Sequence, residues 1–172
     1  PGIKFITSDP GLNQELNIQK VSVPEAAMRE LQDRFALIYT GQRRLARNLL
    51  RDVVGGYIGA NPQTVEALSE MKPIAALMRF ALEQGNIGYF AELMNRHWEI
   101  SQKLDHGSTN TCIDQIFMVC GDLIDGRFIA GAGGGGFLQV LLKKGVTHED
   151  LQKRLRDVFQ DSGVAVWESE FV

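Results

Sequence analysis

Two stretches of this sequence bring together residue types that can do chemistry. The first runs from Ala130 through Gly131 and Ala132 to Gly133-Gly134-Gly135-Gly136, between the apolar segments Arg127 to Ala130 and Phe137 to Leu142. Each glycine in regular structure costs roughly 0.5–1 kcal/mol relative to alanine, so four in a row cost on the order of 2–4 kcal/mol. That is a large share of a typical folding margin of about 5–15 kcal/mol. One compensation is functional: without side chains, backbone N–H groups can approach an anionic or sugar ligand closely. The other is a hairpin connection or a close backbone crossing, although a two-residue hairpin turn needs only one or two such residues. The loop does not end in the Gly-Lys-Ser/Thr of nucleotide-binding loops, and no lysine follows it until Lys143.

The second stretch is Thr40-Gly41, followed by Arg43, Arg44, Arg47 and Arg51. A helix begins here by its apolar spacing, and cations near a helix N-terminus oppose its dipole by some tenths of a kcal/mol each. They are well placed if a carboxylate or phosphate sits there. A solvated basic face partnered by acids elsewhere accounts for them equally well. His97 lies beside an apolar helical stripe and reads as a hydrogen-bonded structural residue. Cys112 and Cys120 are eight residues apart on one expected helix, about 12 Å between Cα atoms at 1.5 Å rise per residue. That separation exceeds disulfide reach, and with three scattered histidines no metal-ligand spacing arises.

Composition bounds the rest. A chain of 172 residues, 44% hydrophobic and 23% charged, is one globular domain of ordinary size. No apolar run approaches the roughly 18–20 residues of a membrane span, and no secretion signal is visible. The cysteines suit a cytoplasmic protein. A net charge of −3 and a pI near 5.6 give no field favouring nucleic acid. The start at Pro1-Gly2, without an initiator methionine, is read as that of a fragment of a longer polypeptide.

The elements that must position these stretches follow from periodicity and punctuation. Gly2 to Ser8 and Leu16 to Val23 read as strands around the Asp9-Pro10-Gly11 turn, the second with a phase slip near Gln19. A helix from Pro24 to about Arg34 leads to Phe35 to Tyr39, a buried central strand. Leu45, Ala46, Leu49, Leu50, Val53 and Val54 mark one helix face. Asn61-Pro62 opens the next helix, with Val65, Leu68, Met71, Ala75 and Met78 as its stripe and Pro73 expected to kink or split it. Ile87, Phe90, Ala91, Met94, Trp98 and Leu104 form another inward face. Thr111 and Asp114 have capping-box spacing, ahead of Ile113, Ile116, Phe117 and Cys120. Two strands then flank the glycine loop, and a helix capped at Thr147 and a strand from Gly163 to Trp167 complete the chain. The result is an α+β domain, an antiparallel sheet with helices packed on one side.

Several of these segments together resemble one family. Gly131-Ala132-Gly133-Gly134-Gly135-Gly136-Phe137 is similar to the third, C-terminal motif of the GHMP small-molecule kinases. Leu37 to Val53, with Pro1-Gly2-Ile3-Lys4 and Val23-Pro24-Glu25, is similar to the L-fucokinase branch. Heptose-phosphate kinases of the same superfamily place Gly-Gly-Lys before the glycine loop, where this sequence has Asp125-Gly126-Arg127. The resemblance implies that residues 1–172 are a ferredoxin-like GHMP kinase C-terminal domain. It lacks the upstream half, which carries a Pro-x-x-x-Gly-Leu-Gly-Ser-Ser nucleotide loop and a catalytic Asp.

The implied reaction is transfer of a phosphoryl group from ATP to the anomeric hydroxyl of L-fucose. ATP and Mg²⁺ would be bound mainly by the N-terminal half of the same polypeptide, often fused to a fucose-1-phosphate guanylyltransferase, and this piece alone would be inactive. Gly131, Gly133, Gly134, Gly135 and Gly136 would support the phosphate, while Thr40, Gly41, Arg44 and Arg47 would face the sugar. No metal ligand, nucleic-acid partner or membrane contact is implied. The alternatives are a heptose-phosphate kinase and a non-catalytic ferredoxin-like metabolite-binding module.

Overall fold

The structure, a computed structural model, describes residues 2–42, 47–131 and 133–171. Strands β1 (Lys4–Ser8) and β2 (Leu16–Lys20) form an antiparallel ribbon. Helix α1 (Glu25–Arg34) leads into β3 (Phe35–Thr40), and helices α2 (Arg47–Ile58), α3 (Pro62–Glu83), α4 (Ile87–Leu104) and α5 (Thr111–Val119) follow. The chain then makes the hairpin β4 (Ile124–Ile129) and β5 (Phe137–Leu142), helix α6 (His148–Phe159) and β6 (Val164–Trp167). The main sheet is antiparallel with order β4-β5-β3-β6. Counted from β3, this is the βαββαβ winding of a ferredoxin-like domain.

Alternation along the strands sorts the side chains into two cores. Ala36 and Ile38 of β3 and Leu138, Val140 and Leu142 of β5 face α5 and α6, burying Ile113, Ile116, Phe117, Leu151 and Leu155. Phe35, Phe128 and Leu141 emerge on the opposite face, where α1 and α4 cover them through Leu31, Ala91 and Met94. Helices on one side therefore describes the α5 and α6 face, and a smaller helical core closes one end of the other. Beyond that end, Tyr39, Phe137 and Trp167 touch ring to ring at 5.2–6.0 Å. A third cluster, Ala67, Ile74, Ala81, Leu93 and Ile100, joins α3 to α4.

Arg34, at the end of α1, is buried and held by three acceptors. Its guanidinium pairs with Glu30, reaches Asp125 at 2.6 Å, and donates to the Leu142 carbonyl at 2.7 Å. A buried charge needs such compensation.

Several expectations from the sequence are corrected. β2 ends at Lys20 and lies exposed throughout, so the phase slip near Gln19 marks the strand's end. Val21, whose N–H still donates to the Ile3 carbonyl at 2.9 Å, turns its side chain into the second core. Pro73 does not split α3, which runs unbroken from Pro62 to Glu83. Both Pro73 and Ser69, whose carbonyl loses its partner, are exposed, so water can solvate that group. The inward face of α3 is Thr64, Ala67, Ile74, Ala81 and Leu82, with Met71 and Met78 at its border, while Val65 and Ala75 face out. Small residues occupy the line of closest approach to α4, because that is where two helices can come together. In α2, Val54, Tyr57 and Ile58 are exposed. Asn110, not Thr111, caps α5.

Candidate functional site

The glycine loop sits at one end of the main sheet. It joins Ile129 of β4 to Phe137 of β5, beside Thr40 at the end of β3 and the N-terminus of α5. Gly131, Gly133, Gly134, Gly135 and Gly136 all have positive φ, a region that residues with a Cβ enter at a cost. Space adds a second constraint at Gly133. A Cβ there would lie 2.7 Å from the Ser108 carbonyl oxygen and 2.8 Å from its Cα.

The loop is tied down on both flanks. Gly134 N–H donates to the Ser108 carbonyl at 2.7 Å, and Gly136 N–H donates to the Gln42 carbonyl at 3.0 Å. Thr40 N–H donates in turn to the Gly136 carbonyl at 2.9 Å. Two of the N–H groups that an anion could use are therefore already engaged within the protein. Asn110 joins the pieces: its side-chain oxygen accepts the Ile113 N–H, and its amide nitrogen donates to the Gly134 carbonyl at 3.0 Å and to Gln42 Oε1 at 3.2 Å.

Thr40 is buried, with its hydroxyl oxygen 3.4 Å from the Gln42 N–H and its carbonyl 3.7 Å from Cys112 Sγ. Gly41 (φ 72°) closes the corner, and a Cβ there would meet the Ser162 carbonyl oxygen at 2.6 Å. The pairing of β3 with β5 thus brings Thr40, Gly41 and the five glycines to one place. Arg44 lies outside the described residues, as does the side chain of Arg47, whose backbone begins α2.

Ser108, Asn110 and Gln42 are site residues that sequence reasoning missed. The polar run Ser108-Thr109-Asn110 before an apolar helix was a capping signal. Its contact with the loop depends on residues 24 positions apart in the chain, which local pattern does not report.

Behind the loop is a cavity of about 300 Å³ lined by α2, α3, α4 and β4. His97 borders it, edge-on to Phe128 at 4.5 Å and 3.2 Å from Ser101 Oγ through Nδ1. Burial holds the His97 imidazole below its ordinary pKa, with its own backbone hydrogen bond opposing, so it is held toward the neutral form as a structural histidine is. Burial raises both thiols, that of Cys120 to about 12. Among the described residues no group of three or more His, Cys, Asp or Glu converges as metal ligands do. No described helix is long and apolar enough to cross a membrane.

No protein-family model matches the chain. Known proteins do. The chain is 30% identical over 157 residues to the bifunctional fucokinase/GDP-fucose pyrophosphorylase of Arabidopsis thaliana, covering 91% of this chain and 15% of that protein. It is 29% identical over 142 residues to the L-fucokinase/L-fucose-1-P guanylyltransferase of Bacteroides fragilis, covering 83% and 15%. Among solved structures, L. major mevalonate kinase with R-mevalonate superposes at a TM-score of 0.75 and 16% identity, over 94% of this chain and 47% of that one. The fold is that of a GHMP kinase C-terminal domain, and the sequence is fucokinase-like. A D-glycero-D-manno-heptose 1-phosphate kinase also shares it, at a TM-score of 0.61 and 16% identity over 92% of this chain and 39% of that one. This fucokinase-like chain spans about 15% of the length of the curated relatives it matches.

Proposed function

We propose that this chain is the substrate-side half of a cytoplasmic, ATP-dependent sugar kinase that phosphorylates the anomeric hydroxyl of L-fucose. The observation that carries the reading is the likeness to fucokinases across 91% of the chain. The organisation of the sheet end supports it. Five glycines with positive φ, buttressed by Ser108, Asn110 and Gln42, form a fixed surface rather than a minimal turn.

Residues 1–172 then act as one C-terminal domain of a longer polypeptide. The anomeric oxygen forms a bond to the γ-phosphorus as the bond to the β,γ-bridging oxygen breaks, and the hydroxyl proton passes to a base outside this chain. ATP and Mg²⁺ are bound mainly by the upstream half, which also supplies the catalytic Asp. Catalysis of this kind rests on positioning and charge neutralisation. Gly131, Gly133 and Gly135 present loop backbone to the phosphoryl group, and Gly134 and Gly136, whose N–H groups are engaged, fix the loop's shape. Thr40 and Gly41 set the corner beside the sugar, and Arg44 and Arg47 meet the sugar or phosphoryl side.

The heptose-phosphate reading is the second. It has the structural likeness behind it, and the Asp125-Gly126-Arg127 sequence against it. Here Asp125 is occupied by Arg34, and the Arg127 N–H by Asn95 Oδ1 at 3.0 Å.

The test is ATP-dependent phosphorylation of L-fucose against a panel of sugars and heptose phosphates, comparing this chain with the chain extended upstream. Activity on L-fucose in the extended form alone is expected. No activity on any sugar in either folded form would refute the kinase and leave a metabolite-binding module.

A further inference from the structure

Two side-chain amides meet beside the glycine loop, and one dictates the orientation of the other. Asn110 Oδ1 accepts the Ile113 N–H at 3.0 Å, and Asn110 Nδ2 donates to the Gly134 carbonyl at 3.0 Å. Neither contact survives an exchange of the amide's two ends, because a backbone N–H only donates and a carbonyl only accepts. The atom of Gln42 that Asn110 Nδ2 reaches at 3.2 Å is therefore the acceptor, Oε1. Gln42 Nε2, a group with two hydrogens to donate, is thereby turned away from Asn110.

Backbone contacts fix where that donor stands. The Gln42 carbonyl accepts the Gly136 N–H at 3.0 Å, and the Gln42 N–H lies 3.4 Å from Thr40 Oγ1. Main chain and side chain of this exposed residue thus span the loop from Gly136 to Gly134. Gly134 and Gly136 N–H groups are engaged inside the protein, so the loop itself has fewer donors left for an anion than its length suggests, and the Gln42 amide adds one at its rim.

We infer that Gln42 Nε2 donates a hydrogen bond to a non-bridging oxygen of the phosphoryl group in transfer, and that Asn110 is the positioning residue that aims it. The inference rests on the sugar-kinase reading above. An NH₂ group that only donates suits phosphoryl oxygens, which only accept, better than a sugar hydroxyl, which does both. Charge in phosphoryl transfer spreads over three equatorial oxygens, and a donor held in place before the reaction stabilises it without reorganising. The chain Ile113 N–H, Asn110 amide, Gln42 Oε1 supplies that hold.

The experiment is steady-state kinetics of the upstream-extended polypeptide with ATP and the sugar that wild type turns over best, on variants whose folding is checked by circular dichroism. Gln42→Met removes the donor without adding charge, and Gln42→Glu also removes it but keeps an oxygen for Asn110. Both should lower kcat about 100-fold, the usual cost of one donor to developing charge, while the KM for the sugar stays within about threefold. Asn110→Asp keeps the acceptor for Ile113 but sets an acceptor against Gln42 Oε1, which turns the Gln42 amide round. It should lower kcat as much as Gln42→Met does, and the double variant should lose no more than either single one. Wild-type kcat in Gln42→Met overturns the donor role, as does a loss there that Gln42→Glu restores, since Gln42 is then only a brace for Asn110. A raised sugar KM at unchanged kcat gives the amide to the sugar and overturns it too. Wild-type kcat in Asn110→Asp overturns the positioning role. Phosphorylation of no sugar by wild type overturns the kinase reading, and this inference with it.

Discussion

Replacing Gly133 with alanine tests the packing of the loop directly, because its cost can be worked out from geometry. Gly133 has φ 89°, and the added Cβ would lie 2.7 Å from the Ser108 carbonyl oxygen and 2.8 Å from its Cα. The left-handed backbone costs a residue with a Cβ about 1–2 kcal/mol. The obstructing atoms are backbone of a buried residue, and the same carbonyl accepts the Gly134 N–H at 2.7 Å. Relief therefore strains or breaks that bond, worth about another 1–1.5 kcal/mol. The sum is about 2–4 kcal/mol, a fall in Tm of roughly 5–15 °C for a chain of this size. Gly131→Ala is the control, with φ 81° but nothing within 4 Å of the added Cβ, so it should cost only the conformational part, about 1–2 kcal/mol. Differential scanning calorimetry of the two variants separates the contributions. Equal midpoints, within about 1 °C, would refute the confinement of Gly133 by Ser108.

Two further expectations follow from the same geometry. Asn110→Ala removes an N-cap acceptor, worth about 0.5–2 kcal/mol, and two side-chain donations to Gly134 and Gln42. It should lower stability by about 2–3 kcal/mol in chemical denaturation, with Asn110→Asp recovering the cap but not the donations; a loss under about 0.5 kcal/mol would show that Asn110 braces nothing. His97 has a lowered pKa in the folded state, so unfolding takes up a proton as the pH falls below the ordinary value of 6.5. Its contribution is full above that value and is lost as the pH drops through it toward the folded pKa. A difference in pH dependence between wild type and His97→Gln should appear in denaturant midpoints below pH about 6.5, and parallel curves would contradict the assignment.

Much of this organisation was legible in the residues. The compact apolar run Phe35 to Tyr39, the capping signals at Asn61 and Thr147, and the apolar strands around the glycines are local patterns, and local backbone preference and periodicity set them. Helix faces were legible only to within a rotation. On α3 the spacing of large apolar residues pointed to Val65 and Ala75, whereas close packing on α4 turned Ala67, Ile74 and Ala81 inward, because the small side chains permit approach. That is a property of the pair of helices and not of one sequence window.

The glycine run by itself determined that a side-chain-free, left-handed loop lies between two strands of an α+β domain, since no other residue tolerates five such φ values so cheaply. Only the tertiary structure decided what that loop meets. Ser108 and Asn110 reach it from the link between α4 and α5, Gln42 reaches it from just past the end of β3, and Met71, Leu104 and Phe128 line the cavity behind it. These residues are distant in the chain and are joined by the βαββαβ winding, which carries the end of β3, the hairpin loop and the N-terminus of α5 to the same end of the sheet.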